Sequence, residues 1–127
     1  TKTQLSKALY AKVNMEGFDE IFWHDSEIES AIEIPSKDVM IFNVQYPIDW
    51  EKNIFEPRGI YFEGCFSYEV AEMPFEGNPA ILSAVVLSEV GSPFQQGGFF
   101  KVQIKTNAGD RFITAKKIKL GDQYIGI

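Results

Sequence analysis

Few side chains in this chain of 127 residues could do chemistry. His24 is the only histidine, and Asp25 and Ser26 follow it directly; Cys65 is the only cysteine. Imidazole, carboxylate and hydroxyl are the parts of an activated nucleophile, in which a carboxylate orients the histidine and the histidine takes the proton. Their spacing speaks against that use. Consecutive residues on an extended chain point to opposite faces, so Asp25 is not expected to orient His24 from the next position. Asp25 and Ser26 are expected instead to bond nearby backbone N–H groups and set the entry of a strand. A His24–Cys65 pair would need a glycine-rich turn or a helix N-terminus to lower the thiol pKa and hold an oxyanion, and neither is near.

One histidine and one cysteine fall short of a zinc site, and Glu27 and Glu29, alternating along a strand, read as a solvated face rather than a calcium site. Gly97-Gly98 precedes a strand rather than a helix, which is the wrong context for a phosphate loop. No catalytic residue, metal or cofactor is assigned from the sequence. An enzyme using His24 with Asp25 or Cys65 stays open as an alternative.

The elements that would position these residues follow from periodicity. Leu5, Ala8, Leu9 and Val13 recur at helical spacing, which predicts a short amphipathic helix over 3–14. Ile28, Ile32 and Ile34 alternate with Glu27, Glu29 and Glu33, then Pro35–Asp38 turns the chain into a return strand from Val39 to Tyr46. Pro47 to Gly59 reads as a loop carrying Trp50, Ile54 and Phe55 among charges. Ile60 to Val70 reads as one long strand with Gly64 marking a bend or bulge. The apolar run Ala80 to Val90 fits a buried strand or a buried helix, and its β-branched residues favour strand. Phe100 to Lys105, a turn at Asn107-Ala108-Gly109 and a strand from Arg111 toward Leu120 with a bulge near Ala115 complete the series. The expected fold is mainly β: a single domain over 1–127, an antiparallel meander of about six strands closed as a barrel or stacked as a sandwich, after one short helix.

Charge narrows the partners. The net charge is −6, with 16 acidic residues against Lys37, Lys52 and Arg58 between Asn14 and Gly98, whereas six basic residues face Asp110 alone between Phe99 and Leu120. An acidic body repels phosphate backbones, and pairing of acidic with basic strands accounts for the asymmetry, so nucleic acid is not expected as a partner. No apolar run approaches the roughly 20 residues that span a bilayer, so no membrane role is expected. The lack of a leader-like start and of a disulfide points to a cytoplasmic protein.

Trp23-His24-Asp25-Ser26-Glu27-Ile28 with Ile32-Glu33-Ile34 resembles a His-Asp-Ser/Ala motif of small bacterial domains. Phe62-Glu63-Gly64, Thr106-Asn107-Ala108-Gly109-Asp110-Arg111-Phe112 and Ala115-Lys116 fit the same pattern loosely over most of the chain. Some members of that group look like immunity proteins of polymorphic-toxin systems. The resemblance implies a β-rich domain that neutralises a toxin by binding it, and it carries no catalytic residues over. The leading expectation is a non-catalytic binding module for a basic partner such as a toxin domain, with Trp23, His24, Asp25, Trp50 and Phe55 as its binding residues. A barrel holding a small apolar ligand is the further alternative.

Overall fold

The computed structural model describes residues 14–92 and 95–126, and the helix expected over 3–14 lies, but for its last residue, outside them. The only helical pieces described are two three-residue 3-10 turns, at Phe18–Glu20 and Pro35–Lys37. Eight strands carry the fold: β1 (Glu27–Ile34), β2 (Val39–Asp49), β3 (Ile54–Glu63), β4 (Ser67–Glu72), β5 (Ile81–Ser92), β6 (Gln95–Thr106), β7 (Gly109–Ala115) and β8 (Lys117–Gly121). They form two antiparallel four-stranded sheets, in the orders β1-β2-β3-β8 and β4-β7-β6-β5. The sheets are not closed into a barrel. Their inner faces meet in one core, in which Met40, Phe42, Val44, Ile60 and Phe62 of the first sheet pack with Ile81, Val102, Ile104 and Ile113 of the second. Phe42 sits edge-on to both Phe62 and Tyr68, at 5.3 and 6.0 Å between ring centroids.

Eight strands replace the expected six because two long strands bend. The run Ile60–Val70 is not one strand: β3 ends at Glu63 and β4 begins at Ser67 in the other sheet. Its partner bends at the same place, between β7 and β8, near the expected bulge at Ala115. The two bends lock together, with Lys116 N–H donating to the Glu63 carbonyl at 2.9 Å. Gly64 has φ +68°, and a Cβ there would lie 2.8 Å from Lys116 Cγ, so the crossing needs glycine. Side-chain phase is kept across the pivot, since Tyr68 and Val70 lie opposite Ile113 and Arg111 of β7, both buried. Phe66 and Val70, placed inward by strict alternation from Ile60, are half exposed, while Tyr68 packs on the core.

On the opposite side the sheets are joined only at one end. Ile81 N–H donates to the Ser26 carbonyl, Asp25 N–H to the Ile81 carbonyl and Ile28 N–H to the Pro79 carbonyl, each at 2.8 Å. Beyond this clasp β1 and β5 do not pair. The run Ala80–Val90 is strand, as its β-branched residues indicated.

The stretch 47–59 is not a loop. Only 50–53 turn; β2 and β3 pair from Val39↔Glu63 out to Asp49↔Ile54. The two prolines hid this, and their places explain why they are tolerated. Pro47 lies past the last β1 pairing at Gln45, and Pro57 lies before the first β8 pairing at Gly59. Each sits where its strand has lost an outer neighbour, so a missing N–H breaks no outer ladder bond. The result is a two-stranded ribbon projecting past both flanking strands.

Two ion pairs cross between strands: Lys117 reaches Glu63 at 3.4 Å and Arg111 reaches Glu72 at 2.6 Å. Lys117 also reaches Glu16 at 3.9 Å, and Arg58 pairs with Glu56 on its own strand. Lys101 and Lys116 lie over the Phe112 and Phe99 rings. The polar outer residue Asn43 is buried because the C-terminal segment crosses it: its amide donates to the Tyr124 carbonyl at 2.9 Å and accepts from Tyr124 N–H at 3.0 Å.

Candidate functional site

His24, Asp25 and Trp50 come together at the end of the molecule formed by the projecting ribbon and the clasp. Asp25 takes a left-handed conformation, φ +70°. Such a φ is uncommon for a residue with a side chain, though Asp tolerates it better than most. The turn brings the Asp25 carboxylate back, so that Oδ2 accepts from Trp50 Nε1–H at 3.2 Å and lies 3.5 Å from His24 Nε2. Asp25 was not expected to orient His24 because neighbours on an extended chain face opposite ways; the left-handed backbone at Asp25 is not extended and brings the two together. The other face of the imidazole is fixed too, with Nδ1 3.0 Å from the Leu82 carbonyl oxygen. A carbonyl can only accept, so Nδ1 is the donor in this contact, while Nε2 is the ring nitrogen nearest Asp25.

These groups face solvent. The His24 side chain is 55% exposed and Trp50 is 64% exposed. Phe22, Ile48, Ile54 and Leu82, on the segments that meet here, are about half exposed as well. Phe22 N–H donates to the Tyr46 hydroxyl at 2.7 Å, tying the segment before β1 to the base of the ribbon. The stretch from Asp19 to Glu29 carries five carboxylates and no lysine or arginine, and the ribbon's turn adds Asp49 and Glu51 against Lys52. The site is an aromatic end with an acidic rim.

Two of the five expected binding residues do not present themselves this way. Trp23 is buried: its ring packs at 5.4 Å from Phe18 and 6.3 Å from Phe62, and its Nε1–H donates to the Phe18 carbonyl. It supports the site from beneath and is not a surface anchor. Phe55 is half buried on β3, opposite Pro47. Leu82 and Phe22 were not singled out from the sequence. No local signal marks them, since both reach the site through the long-range clasp.

The geometry does not assemble a nucleophile. Ser26 is buried, and its hydroxyl donates to the Phe22 carbonyl at 3.1 Å rather than meeting His24. Cys65 bonds Asp38 through its backbone at the start of β2, whereas Trp50 follows the end of β2. Eleven residues of strand at about 3.3 Å each separate the two ends by roughly 30 Å, so His24 and Cys65 cannot act together. Among the described residues no group of three or more His, Cys, Asp or Glu converges to hold a metal ion. No described helix is long and apolar enough to cross a membrane.

No known protein family matches this chain. Nor does any curated protein match it in sequence.

At the other end lies a cleft of about 340 Å³, lined by residues that include Glu33, Asp38, Met40, Cys65 and Tyr68. Two of its polar groups are engaged within the fold: the Cys65 thiol lies 3.6 Å from the Ser67 carbonyl, and the Tyr68 hydroxyl accepts from Arg111. Burial pushes the Cys65 thiol pKa up, the Ser67 backbone offsets part of this, and the Glu33 and Asp38 carboxylates add to the rise. The thiolate is the reactive form, so alkylation at neutral pH is expected to run slower than for an exposed cysteine. A thiol raised on folding contributes stability that is present below its ordinary range and lost as pH climbs through the raised value. Cys65→Ser should therefore flatten the alkaline decline in stability, read from urea unfolding between neutral and alkaline pH. Rapid alkylation of the folded chain would contradict this environment.

Proposed function

We propose that this protein is a non-catalytic binding module that recognises a basic protein through its aromatic, acidic end and neutralises a bacterial toxin by direct contact. The supporting observation is Trp50: a large indole held in place by Asp25, yet mostly open to solvent. An exposed aromatic whose orientation is already fixed loses little entropy on binding, which is the property of an interface anchor. The surrounding carboxylates have few basic neighbours, whereas Arg111 of β7 and Lys117 of β8 are drawn into ion pairs with β4 and β3, and Lys116, between β7 and β8, lies over the Phe99 ring. A positively charged partner would be steered to this end. The His-Asp-Ser sequence that resembles immunity domains supplies two of the three polar groups of the site.

The test is co-purification from the native host, followed by calorimetry with any basic toxin-like domain found encoded beside this gene. Trp50→Ala is expected to weaken binding by about 2 kcal/mol, roughly 30-fold, as for a central aromatic anchor. Raising the salt should slow association without changing the complex formed. Undiminished affinity in Trp50→Ala, together with indifference to salt, would remove this reading.

A further inference from the structure

We propose that the free edge of β5 pairs antiparallel with β5 of a second copy, forming a two-fold dimer whose β4-β7-β6-β5 sheets join into one eight-stranded sheet. The proposal goes beyond the binding of a basic partner and does not depend on it. The two sheets end in four edge strands, β1, β8, β4 and β5, and β5 is the odd one. From Ser83 onward it pairs with β6 alone among the described residues, so one row of backbone N–H and C=O groups along much of its length lacks a ladder partner. Proteins guard such edges with charge. The other three edges do so: β1 carries Glu27, Glu29 and Glu33, β4 carries Glu69, and β8 carries Lys119, besides Glu72 and Lys117, which are held in ion pairs. β5 carries Glu89 alone, and that carboxylate is turned to its own hairpin, accepting from Gly98 N–H at 2.8 Å.

The identity of the occupant follows from these charges. An antiparallel pair of identical strands sets like residues near like, so β1, β4 and β8 repel their own copies while β5 does not. The side chains agree. The register of β5 on β6 slips between Ile81 and Ser83 and again between Val86 and Ser88, which makes Leu82 and Leu87 the inserted residues of two bulges. Bulges re-aim side chains. Here they leave Leu82, Val85 and Leu87 between 45% and 49% exposed, an apolar row beside the open edge. A register centred on Val85 sets that residue against its own copy and Ser83 against Leu87, with no charge opposed. Two-fold pairing uses the edge once per copy and closes the assembly.

Salt separates this contact from the first. Two chains of net charge −6 repel at long range, so screening should strengthen the dimer, whereas it weakens attraction to a basic partner. The experiment is sedimentation equilibrium of the full chain alone, at low and moderate salt. A monomer–dimer equilibrium that tightens with salt is expected. Val85→Lys, which sets two ammonium groups across the two-fold, should raise the dissociation constant at least about tenfold. Ser30→Lys, on the β1 edge, should leave it unchanged. A monomer at all concentrations, an open-ended polymer, or a dimer indifferent to Val85→Lys would overturn the proposal. Should Val85→Lys fail to fold, amide exchange of the unaltered chain decides: protection of 83–88 that rises with protein concentration supports the pairing, and protection independent of concentration refutes it.

Discussion

Arg111→Ala is expected to lower the free energy of unfolding by about 3–5 kcal/mol, the usual consequence of breaking a buried ion pair. Arg111 is on the inner face of β7, and its side chain and that of Glu72 are each 11% exposed. The two make a fork, Nε to Oε2 at 2.6 Å and Nη2 to Oε1 at 3.0 Å, while Nη1 donates to the Tyr68 hydroxyl at 3.1 Å. The guanidinium lies 5.4 Å from the centre of the Phe42 ring. Burial works against its charge, but the bonds to Glu72 and the neighbouring Tyr68 more than compensate, and its pKa rises above the ordinary value. Truncation leaves the Glu72 carboxylate beside the core with only the Thr106 hydroxyl, at 3.3 Å. That hydroxyl also serves the β6–β7 turn, accepting from Ala108 and Gly109 N–H. The double change Arg111→Met with Glu72→Met should recover much of the loss, because an apolar pair of similar volume carries no stranded charge. Urea unfolding of the three chains measures this. A cost under about 1 kcal/mol for Arg111→Ala would mean that water reaches the pair freely.

The second large effect is expected at Trp23. Trp23→Ala removes an aromatic side chain packed between Phe18 and Phe62 and should cost about 3–5 kcal/mol, with Trp23→Phe costing less. Its particular signature is at a distance from the cavity. His24 and Asp25 follow directly in the chain, so loosening the indole beneath them should free the Trp50 side chain held by Asp25. With Trp23 replaced, the remaining tryptophan emission comes from Trp50 alone, and its quenching by acrylamide should exceed that of Trp50 in the Trp23→Phe chain. Equal quenching in the two chains would show that the core and the site are mechanically independent.

Period-two alternation was enough to place Ile28, Met40, Phe42, Val44, Ile60, Phe62, Val102 and Ile104 in the core, because apolar side chains recur at alternate positions along each of these strands. It failed where the chain changes sheets. Phe66 and Val70 were assigned inward by counting through Gly64, yet both are half exposed, Phe66 in the pivot itself and Val70 on the edge strand β4. Gly64 and the phase slip near Ala115 were both visible, but that they touch each other is a tertiary fact 50 residues apart. The loop expected over 47–59 failed for a different reason: Pro47 and Pro57 argue against a central strand, and only the register shows that each has an open flank. At the site, His24, Asp25 and Trp50 were named individually, yet their meeting depends on one left-handed residue and a hydrogen bond spanning 25 positions. No local pattern encodes that.

The paired bends at Gly64 and Lys116 carry a consequence for how the chain can be divided. Taken at the irregular stretch between Glu72 and Ile81, the earlier half holds β1, β2 and β3 of one sheet but places β4 on the rim of the other; the later half holds β5, β6 and β7 and returns β8 to the first. Each half lends the other a strand, like two hands with fingers crossed. Neither fragment contains a finished layer, so a cut at that stretch would leave both described sheets missing a strand.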